Sequence, residues 1–361
     1  MLPEIGSTFW EIPVFNNSPR TGLWWENNSF YKQFFKSGRN AIKALCRLLC
    51  KTNKTVVVPF YTCETVVSPF KDEGWNVYFY PVNKNLTING EALWEIIEAK
   101  HPDVLYVHSY FGFNTLKESE NLLRQIQSRG VIIAEDITQS FLSDNYLDFA
   151  DYYVTSLRKF YAIPEGGVLF SRNKFAEFPT ACPDPLISET AMNAYELKKA
   201  YFESPIPDPE SKIKFRQLYE KLNSLIGINS ELQDMGKTAF TIFENEDFES
   251  IRKRRTENSY ILNEVLSDTD FLQPIFGNPK CGEIPLYLPV YVTKTSRSDL
   301  QKYFAVNDVY CPVIWYKSGL IDENNQIADS MYDKMLCFPI DQRYGNDEME
   351  KIISLIRSYK I

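Results

Sequence analysis

Residues 156–167 read Ser-Leu-Arg-Lys-Phe-Tyr-Ala-Ile-Pro-Glu-Gly-Gly and connect two extended runs, Tyr152–Ser156 and Gly167–Phe170. Lys159 therefore stands just after a predicted buried strand, where its charge is costly to desolvate unless it is neutralised or covalently engaged. Schiff-base formation supplies such an engagement. Taken alone, the stretch leaves open the alternative that Lys159 is a surface lysine on a loop.

The chain around this stretch alternates helical and extended patterns from residue 38 to about 171. Such alternation is typical of βαβ units and of a mostly parallel, buried sheet. Besides the two runs above, the predicted strands are Thr55–Pro59, Asn76–Pro81, Asp103–His108 and Val131–Ala134, and the predicted helices are Asn40–Cys50, Thr62–Lys71, Gly90–Ala99 and Leu116–Arg129. We therefore predict an α/β fold.

The pattern changes in the last third of the chain. Its predicted elements are helix Asp247–Leu266, strand Leu286–Val292, helix Ser298–Phe304, strand Val309–Val313 and helix Asn346–Tyr359. Domains usually comprise about 100–200 residues, so a chain of 361 residues should form two. We predict a large domain over residues 1–240, which includes an N-terminal arm, and a smaller α+β domain over residues 241–361.

Composition excludes several classes of protein. The net charge of −8 argues against nucleic-acid binding, which requires clustered positive charge. Seven cysteines without a Cys-x-x-Cys pair and two histidines favour neither a disulfide framework nor a metal site. No window reaches the roughly 18–20 apolar residues of a membrane span. We predict a cytoplasmic protein without a metal, nucleic-acid or membrane partner.

A second motif, Glu135-Asp136-Ile137-Thr138-Gln139, follows the predicted strand Val131–Ala134. In open α/β sheets, ligands bind outside the carboxyl ends of the strands, so an acidic residue there is a site candidate. A pyridinium nitrogen needs such a carboxylate partner. The alternative that Asp136 is a helix N-cap stays open at this point.

A third motif, Ser37-Gly38-Arg39-Asn40-Ala41, opens the first predicted helix. Backbone N–H groups at a helix start, together with the positive end of the helix dipole, bind phosphate, and glycine permits close approach. A simple turn is the alternative.

Taken in order, these motifs resemble those of the DegT/StrS family of sugar-nucleotide aminotransferases, which are fold-type-I pyridoxal-phosphate enzymes. The likeness is colinear over most of the chain. The family's lysine, followed six residues later by Glu-Gly-Gly, is its most specific feature and is matched by Lys159 and residues 165–167. Five further family motifs have similar stretches in this chain. Residues 38–42 are similar to Gly-Thr-x-Ala-Leu, residues 59–62 to Pro-x-Tyr-Thr, residues 135–139 to Glu-Asp-x-x-Gln, residues 227–229 to Gly-x-Asn, and residues 254–260 to Arg-Arg-x-x-x-x-Tyr.

The resemblance implies a fold-type-I architecture, with a mostly parallel seven-stranded sheet flanked by helices. Lys159 would bind pyridoxal phosphate as a Schiff base, Asp136 would pair with its pyridinium nitrogen, and Gln139 would lie near its phenolic oxygen. The phosphate would be bound by Gly38, Arg39, Asn40 and Ser156, and by Asn229 of the partner subunit in a homodimer.

The chain departs from the family pattern at Arg39, which replaces a threonine, at Glu231, which replaces an arginine, and at two places that bear on the ring and the substrate. Cys63 occupies the position of the aromatic ring that usually stacks on the cofactor, so Tyr61 or Tyr110 would have to replace that ring. Near the C-terminus, residues 311–317 replace the usual histidine-containing segment that helps to hold substrate. We expect Trp315, Tyr316 and Lys317 there to hold the base and diphosphate of a nucleotide sugar.

The implied reaction is ping-pong transamination from an amino acid, glutamate or a similar one, to a nucleotide-linked keto-sugar, in polysaccharide or secondary-metabolite biosynthesis. Dehydratases of the same family carry histidine in place of the lysine, so the presence of Lys159 argues against a dehydratase. Ser156-x-x-Lys159 and Ser143-Asp144-Asn145 occur in acyl-serine enzymes, but in the opposite order. Two alternatives remain, a small-molecule aminotransferase and a non-catalytic binding or regulatory protein of the same fold.

Overall fold

The computed structural model describes residues 4–13, 22–26, 29–49, 53–228, 231–321 and 325–360. The strands of this part of the chain are β1 (Tyr31–Phe35), β2 (Thr55–Pro59), β3 (Asn76–Tyr80), β4 (Val104–His108), β5 (Ile132–Asp136), β6 (Tyr152–Ser156), β7 (Gly167–Ser171), β8 (Leu272–Pro274), β9 (Leu288–Val292) and β10 (Met335–Phe338). The helices are α1 (Gly38–Leu48), α2 (Glu64–Asp72), α3 (Gly90–Lys100), α4 (Glu120–Ser128), α5 (Pro185–Glu203), α6 (Pro209–Gly227), α7 (Lys237–Glu244), α8 (Phe248–Ser267), α9 (Arg297–Val306), α10 (Gln326–Lys334) and α11 (Asn346–Ser358).

Seven strands form one sheet in the order β1-β7-β6-β5-β4-β2-β3. Strand β2 pairs in parallel with β3 and β4, and β4 pairs in parallel with β5, whereas β7 is antiparallel to β1 and β6. Every residue of β2, β4 and β7 is buried, as expected for strands that are covered on both faces. The predicted mostly parallel seven-stranded sheet is confirmed.

The chain divides into two compact units. The first unit comprises Met1–Ser7, Leu49–Tyr152 and Glu249–Ile361, and the second comprises Thr8–Leu48 and Tyr153–Phe248. The first unit contains the small antiparallel sheet β10-β9-β8, and the second contains the α5–α6 hairpin. A boundary between residues 240 and 241 stays a prediction.

The two helices of the hairpin begin in the same way. Asp184 precedes Pro185 and accepts the backbone N–H of Leu186. Asp208 precedes Pro209 and accepts the backbone N–H groups of Glu210 and Ser211. An N-cap acid satisfies amide groups that the helix leaves free, and proline suits the first helical position because its missing N–H is not needed there. These residues account for where each of the two helices begins.

A buried lysine attaches the N-terminal segment to this hairpin. Lys198 on α5 is fully buried, and its Nζ donates to the carbonyl oxygen of Thr8 at 2.6 Å. The ammonium group also lies 4.9–5.6 Å from the centroids of four aromatic rings, those of Trp10, Phe202, Phe215 and Tyr219. Cation–π attraction and the carbonyl contact replace the water that Lys198 loses.

One predicted strand is wrong. Val309 forms only an isolated bridge with Ile5, and residues 310–313 are not in a strand. Pro312 lacks the N–H that a ladder needs, and the two partners of β9 are β8 and β10, of which β10 is buried throughout. Strands β1, β8 and β10 and helices α7 and α10 were not predicted from the sequence, and β5 ends at Asp136, two residues beyond its predicted end at Ala134. Among the described helices, none has the length and apolar character needed to cross a membrane.

Candidate active site

In the first unit, two polar residues end neighbouring strands. His108 is the last residue of β4 and Asp136 the last of β5, and the two are paired in register. Both are 4 % exposed, so their charges and hydrogen bonds are set mainly by protein groups. They lie at the carboxyl ends of parallel strands, where sheets of this class bind ligands.

Asp136 is held through both of its carboxylate oxygens. The backbone N–H of Thr138 donates to Oδ1 at 2.9 Å, and the Tyr106 hydroxyl donates to Oδ2 at 3.0 Å. The residues after Asp136 form a turn and no helix, so the helix N-cap alternative does not apply. A carboxylate offers about four lone-pair sites, so Asp136 retains capacity for a further donor.

His108 makes polar contacts through both ring nitrogens. Nδ1 lies 3.5 Å from Asp136 Oδ2, and Nε2 lies 2.8 Å from Thr62 Oγ1. Burial lowers the pKa of His108, and the charge of Asp136 opposes this effect only in part. The sequence analysis missed His108, although it ends a predicted strand just before a loop, which is the criterion that selected Asp136.

Gln139 is oriented by a backbone contact. Its Oε1 accepts the N–H of Phe111 at 2.9 Å, so the amide nitrogen is the group that remains to donate. The described residues provide no partner for that nitrogen. Gln139 can therefore donate to a ligand oxygen, which is the role expected of it.

The aromatic residues of this cluster differ in exposure. Tyr61 and Tyr110 are 0 % and 1 % exposed, and the Tyr110 hydroxyl donates to the Tyr61 carbonyl oxygen at 2.6 Å. Trp315 is half-buried, with its ring centroid 5.3 Å from that of Tyr61 and 5.7 Å from that of His108. Cys63 is half-buried at the start of α2, with its sulfur 2.8 Å from Thr65 Oγ1. Trp315 thus keeps accessible ring surface, whereas both tyrosines are packed.

The two residues after Trp315 have different surroundings. Tyr316 is 66 % exposed, and the guanidinium of Arg297 lies 5.8 Å from its ring centroid. Lys317 is exposed and forms an ion pair with Asp329 at 2.6 Å. A role for Tyr316 and Lys317 in holding a base and a diphosphate stays a prediction.

In the second unit, glycines bring the start of α1 close to two strands. A Cβ added to Gly38, the first residue of α1, would lie 3.1 Å from the Ser156 Cβ, and a Cβ added to Gly167 would lie 2.2 Å from the Ser37 carbonyl. Only glycine fits at residue 167, because the atoms that it meets belong to the main chain. The first amide groups of α1 are thereby brought beside Ser156 at the end of β6.

Lys159 follows Ser156 at the end of a short 3-10 turn, Leu157–Lys159. Its side chain is exposed. The position after a buried strand had indicated a desolvated lysine, and an exposed lysine does not carry that cost. The turn that follows β6 directs the lysine to accessible surface, so burial does not by itself distinguish Lys159 from other lysines. Its assignment depends on the neighbouring Ser156 and Gly38 and on the resemblance.

The other predicted phosphate-binding residues divide into three cases. Asn40 is fully buried, and its Oδ1 accepts the N–H of Gln233 at 3.0 Å. Arg39 is half-buried, with Nη2 3.5 Å from the Ile226 carbonyl oxygen. Asn229 lies outside the described residues.

The second unit also contains two buried charged residues, Lys36 and Glu165, whose interaction was not predicted from the sequence. Lys36 is 4 % exposed, its Nζ donates to the Ile228 carbonyl oxygen at 2.6 Å, and burial lowers its pKa. Glu165 is fully buried, and its Oε1 accepts the N–H of Gly236 at 2.8 Å. Burial raises the pKa of Glu165 to about 7.

We expect Glu165 to make stability depend on pH. Because its pKa is raised in the folded state, its contribution is full at pH values below the ordinary glutamate pKa and is lost as pH rises towards about 7. Relative to Glu165→Gln, the wild-type free energy of unfolding should fall by up to about 3 kcal/mol between pH 4.5 and pH 8. Urea unfolding at both pH values measures this difference, and equal pH dependence in the two proteins would contradict it.

Solved structures share this fold across most of the chain. A DegT DnrJ EryC1 StrS aminotransferase from Brucella abortus is 16 % identical, with a TM-score of 0.65 over 91 % of this chain and 85 % of its own. DesI, solved in the presence of its TDP-sugar product, is 12 % identical, with a TM-score of 0.64 over 91 % of this chain and 80 % of its own. A protein from Bacillus cereus, provisionally named a PLP-dependent aminotransferase, is 14 % identical, with a TM-score of 0.63 over 91 % of this chain and 86 % of its own.

No protein-family model matches the sequence, and no curated protein matches it either. At 12–16 % identity, the structural likeness establishes the fold. The chain has the fold-type-I architecture of DegT/StrS-type aminotransferases, as its motifs indicated.

Proposed function

We propose that the protein is a pyridoxal-phosphate-dependent aminotransferase that acts on a keto-sugar. The observation that carries this proposal is the contact between Gly38 at the start of α1 and Ser156, three residues before Lys159. A helix start beside a short segment that carries a hydroxyl and an accessible lysine suits a cofactor that has both a phosphate and an aldehyde. The shared aminotransferase fold supports the same reading.

The residues present fit this cofactor. The glycine contacts leave no side chain between the α1 amides and Ser156, which suits a phosphate group. Asp136 has remaining acceptor capacity for a protonated ring nitrogen, and Gln139 has an amide donor for the phenolic oxygen. Trp315, with its accessible ring surface, is a candidate for the ring contact that Cys63 lacks.

Each residue would have a defined role in the reaction. Bound pyridoxal phosphate supplies an electron-withdrawing ring that stabilises negative charge on the substrate carbon. Lys159 would hold the cofactor covalently until an amino donor displaces it, and its Nζ would then move the proton to and from the substrate carbon. Asp136 would keep the ring nitrogen protonated, while Ser156 and the α1 amides would bind the phosphate.

The finer assignments are part of the same proposal. We take glutamate or a similar amino acid as donor, and a nucleotide-linked sugar as acceptor, as expected from the family resemblance and in line with the TDP-sugar product of DesI. A cytoplasmic homodimer that shares Asn229 across its interface would complete the phosphate site.

The acceptor can be tested by two half-reactions. Glutamate should convert the loaded protein to the amine form of the cofactor, and a keto-sugar nucleotide should convert it back, because the acceptor takes up the amino group. Absorption spectroscopy follows both steps. Simple keto acids serve as the comparison; if they restore the spectrum and no sugar nucleotide does, the protein is a small-molecule aminotransferase. If glutamate leaves the loaded protein unchanged while other amino acids convert it, the assigned donor is wrong.

A further inference from the structure

Thr62 links three elements of the first unit. It follows β2 and is fully buried, and its Oγ1 lies 2.8 Å from His108 Nε2 at the end of β4. Its backbone N–H donates to the Tyr332 hydroxyl on α10 at 2.9 Å, and that hydroxyl donates in turn to the Phe60 carbonyl oxygen at 2.7 Å. The position of the Thr62 hydroxyl is therefore fixed by the main chain on both sides of it.

The two contacts of His108 favour one tautomer. A neutral imidazole has one nitrogen that donates and one that accepts. Nδ1 lies 3.5 Å from the carboxylate of Asp136, which is longer than a normal hydrogen bond but close enough for two facing lone pairs to repel. A proton on Nδ1 turns this repulsion into attraction. Nε2 is then the acceptor, and Thr62 is its donor.

The surroundings of His108 also favour its neutral form. The groups that face the ring are Asp136 on β5, Thr62 after β2, Trp315, and the phenol rings of Tyr106 and Tyr110. Of these, Asp136 is the one carboxyl group. Its attraction for an imidazolium is smaller than the cost of burying one, so the pKa of His108 lies below its ordinary value.

We propose that Thr62 is a positioning residue that acts together with Asp136 to fix the tautomer of His108: Asp136 favours the proton on Nδ1, and the Thr62 hydroxyl donates to Nε2. The consequence for catalysis depends on the proposed function: a fixed N–H beside Asp136 stabilises its ionised form, the form that pairs with a protonated ring nitrogen. The tautomer itself does not depend on that function.

Nitrogen NMR of full-length protein labelled with ¹⁵N-histidine tests this inference. The chain has two histidines, and the other one, His101, is exposed. His101→Asn assigns the signals, because asparagine tolerates the left-handed conformation of residue 101 (φ 44°). Between pH 7 and 9, before and after addition of pyridoxal phosphate, His108 should show a protonated Nδ1 and an unprotonated Nε2. A proton on Nε2, or an imidazolium, would overturn the proposal.

Two variants of Thr62 isolate its hydroxyl. Thr62→Val keeps the shape and removes the donor, so the two nitrogen signals of His108 should move towards each other as both tautomers become populated. In the loaded protein, kcat should fall about tenfold with little change in KM for the donor, a loss comparable to one hydrogen bond. Thr62→Ser keeps the donor and should retain wild-type signals and kcat.

Unchanged signals in Thr62→Val would show that Thr62 does not set the tautomer. If this variant does not fold, the wild-type spectrum still tests the tautomer itself, because a proton on Nε2 contradicts the proposal. A protein that shows the expected tautomer but binds no pyridoxal phosphate would refute the proposed function alone. A working aminotransferase with its proton on Nε2 would refute the role of Thr62 alone.

Discussion

Replacing Lys159 by alanine should reduce transamination by a factor on the order of 10⁴ or more, because one residue is expected both to hold the cofactor and to move the proton. Borohydride treatment of the wild-type protein should fix the cofactor irreversibly on Lys159, and peptide mapping identifies the modified residue. In the variant, the same treatment should fix no cofactor.

Lys174→Ala is the matched control for this experiment. Lys174 is also an exposed lysine of the second unit, and it follows β7 by three residues as Lys159 follows β6. Its loss should leave both turnover and borohydride fixation unchanged. If the cofactor is found on another lysine, or if Lys159→Ala retains a borohydride-sensitive link, the central assignment is wrong.

Replacing Asp136 by asparagine should slow turnover by about a hundredfold or more while leaving much of the cofactor binding intact. Asparagine keeps an oxygen for the Thr138 N–H, but it is neutral and no longer favours a protonated ring nitrogen. Steady-state kinetics of the loaded variant measure the loss. Near-normal turnover would mean that Asp136 serves only to close the turn at Thr138.

The adjacent carboxyl group provides the control. Glu135 is fully buried; the Ser109 hydroxyl donates to its Oε1, and the Leu147 N–H donates to its Oε2 at 2.8 Å. Glu135→Gln cannot accept at both positions and should lower the free energy of unfolding by about 1–3 kcal/mol. Turnover per folded molecule should be retained. The two variants therefore separate the charge of Asp136 from the packing of its neighbour.

The sequence was informative where local rules determine structure. Buried strands, helix starts and the glycine motifs of α1 and β7 all have local signatures, and Asp136 was found because it follows a strand. The same criterion would have found His108, had it been applied to every predicted strand. The resemblance supplied the roles of Gln139 and Ser156, which no local pattern indicates.

Other features depend on contacts between distant segments. The edge strand β1 has no periodic pattern that separates it from a loop, and it is defined by its pairing with β7. The apolar run Val309–Val313 resembles a strand, but β9 pairs with β10 instead. The exposure of Lys159 depends on the direction of the turn after β6, and the orientation of His108 depends on Thr62, which lies 46 residues earlier.

The environment of Lys198 bears on how the protein can be shortened for crystallisation. A chain that begins after Trp10 would remove the Thr8 carbonyl oxygen and one of the four rings around the ammonium group. Loss of these contacts to a buried cation carries a desolvation penalty, which would destabilise α5 and α6 although neither helix was altered. The N-terminal boundary of a shortened chain therefore belongs before Thr8.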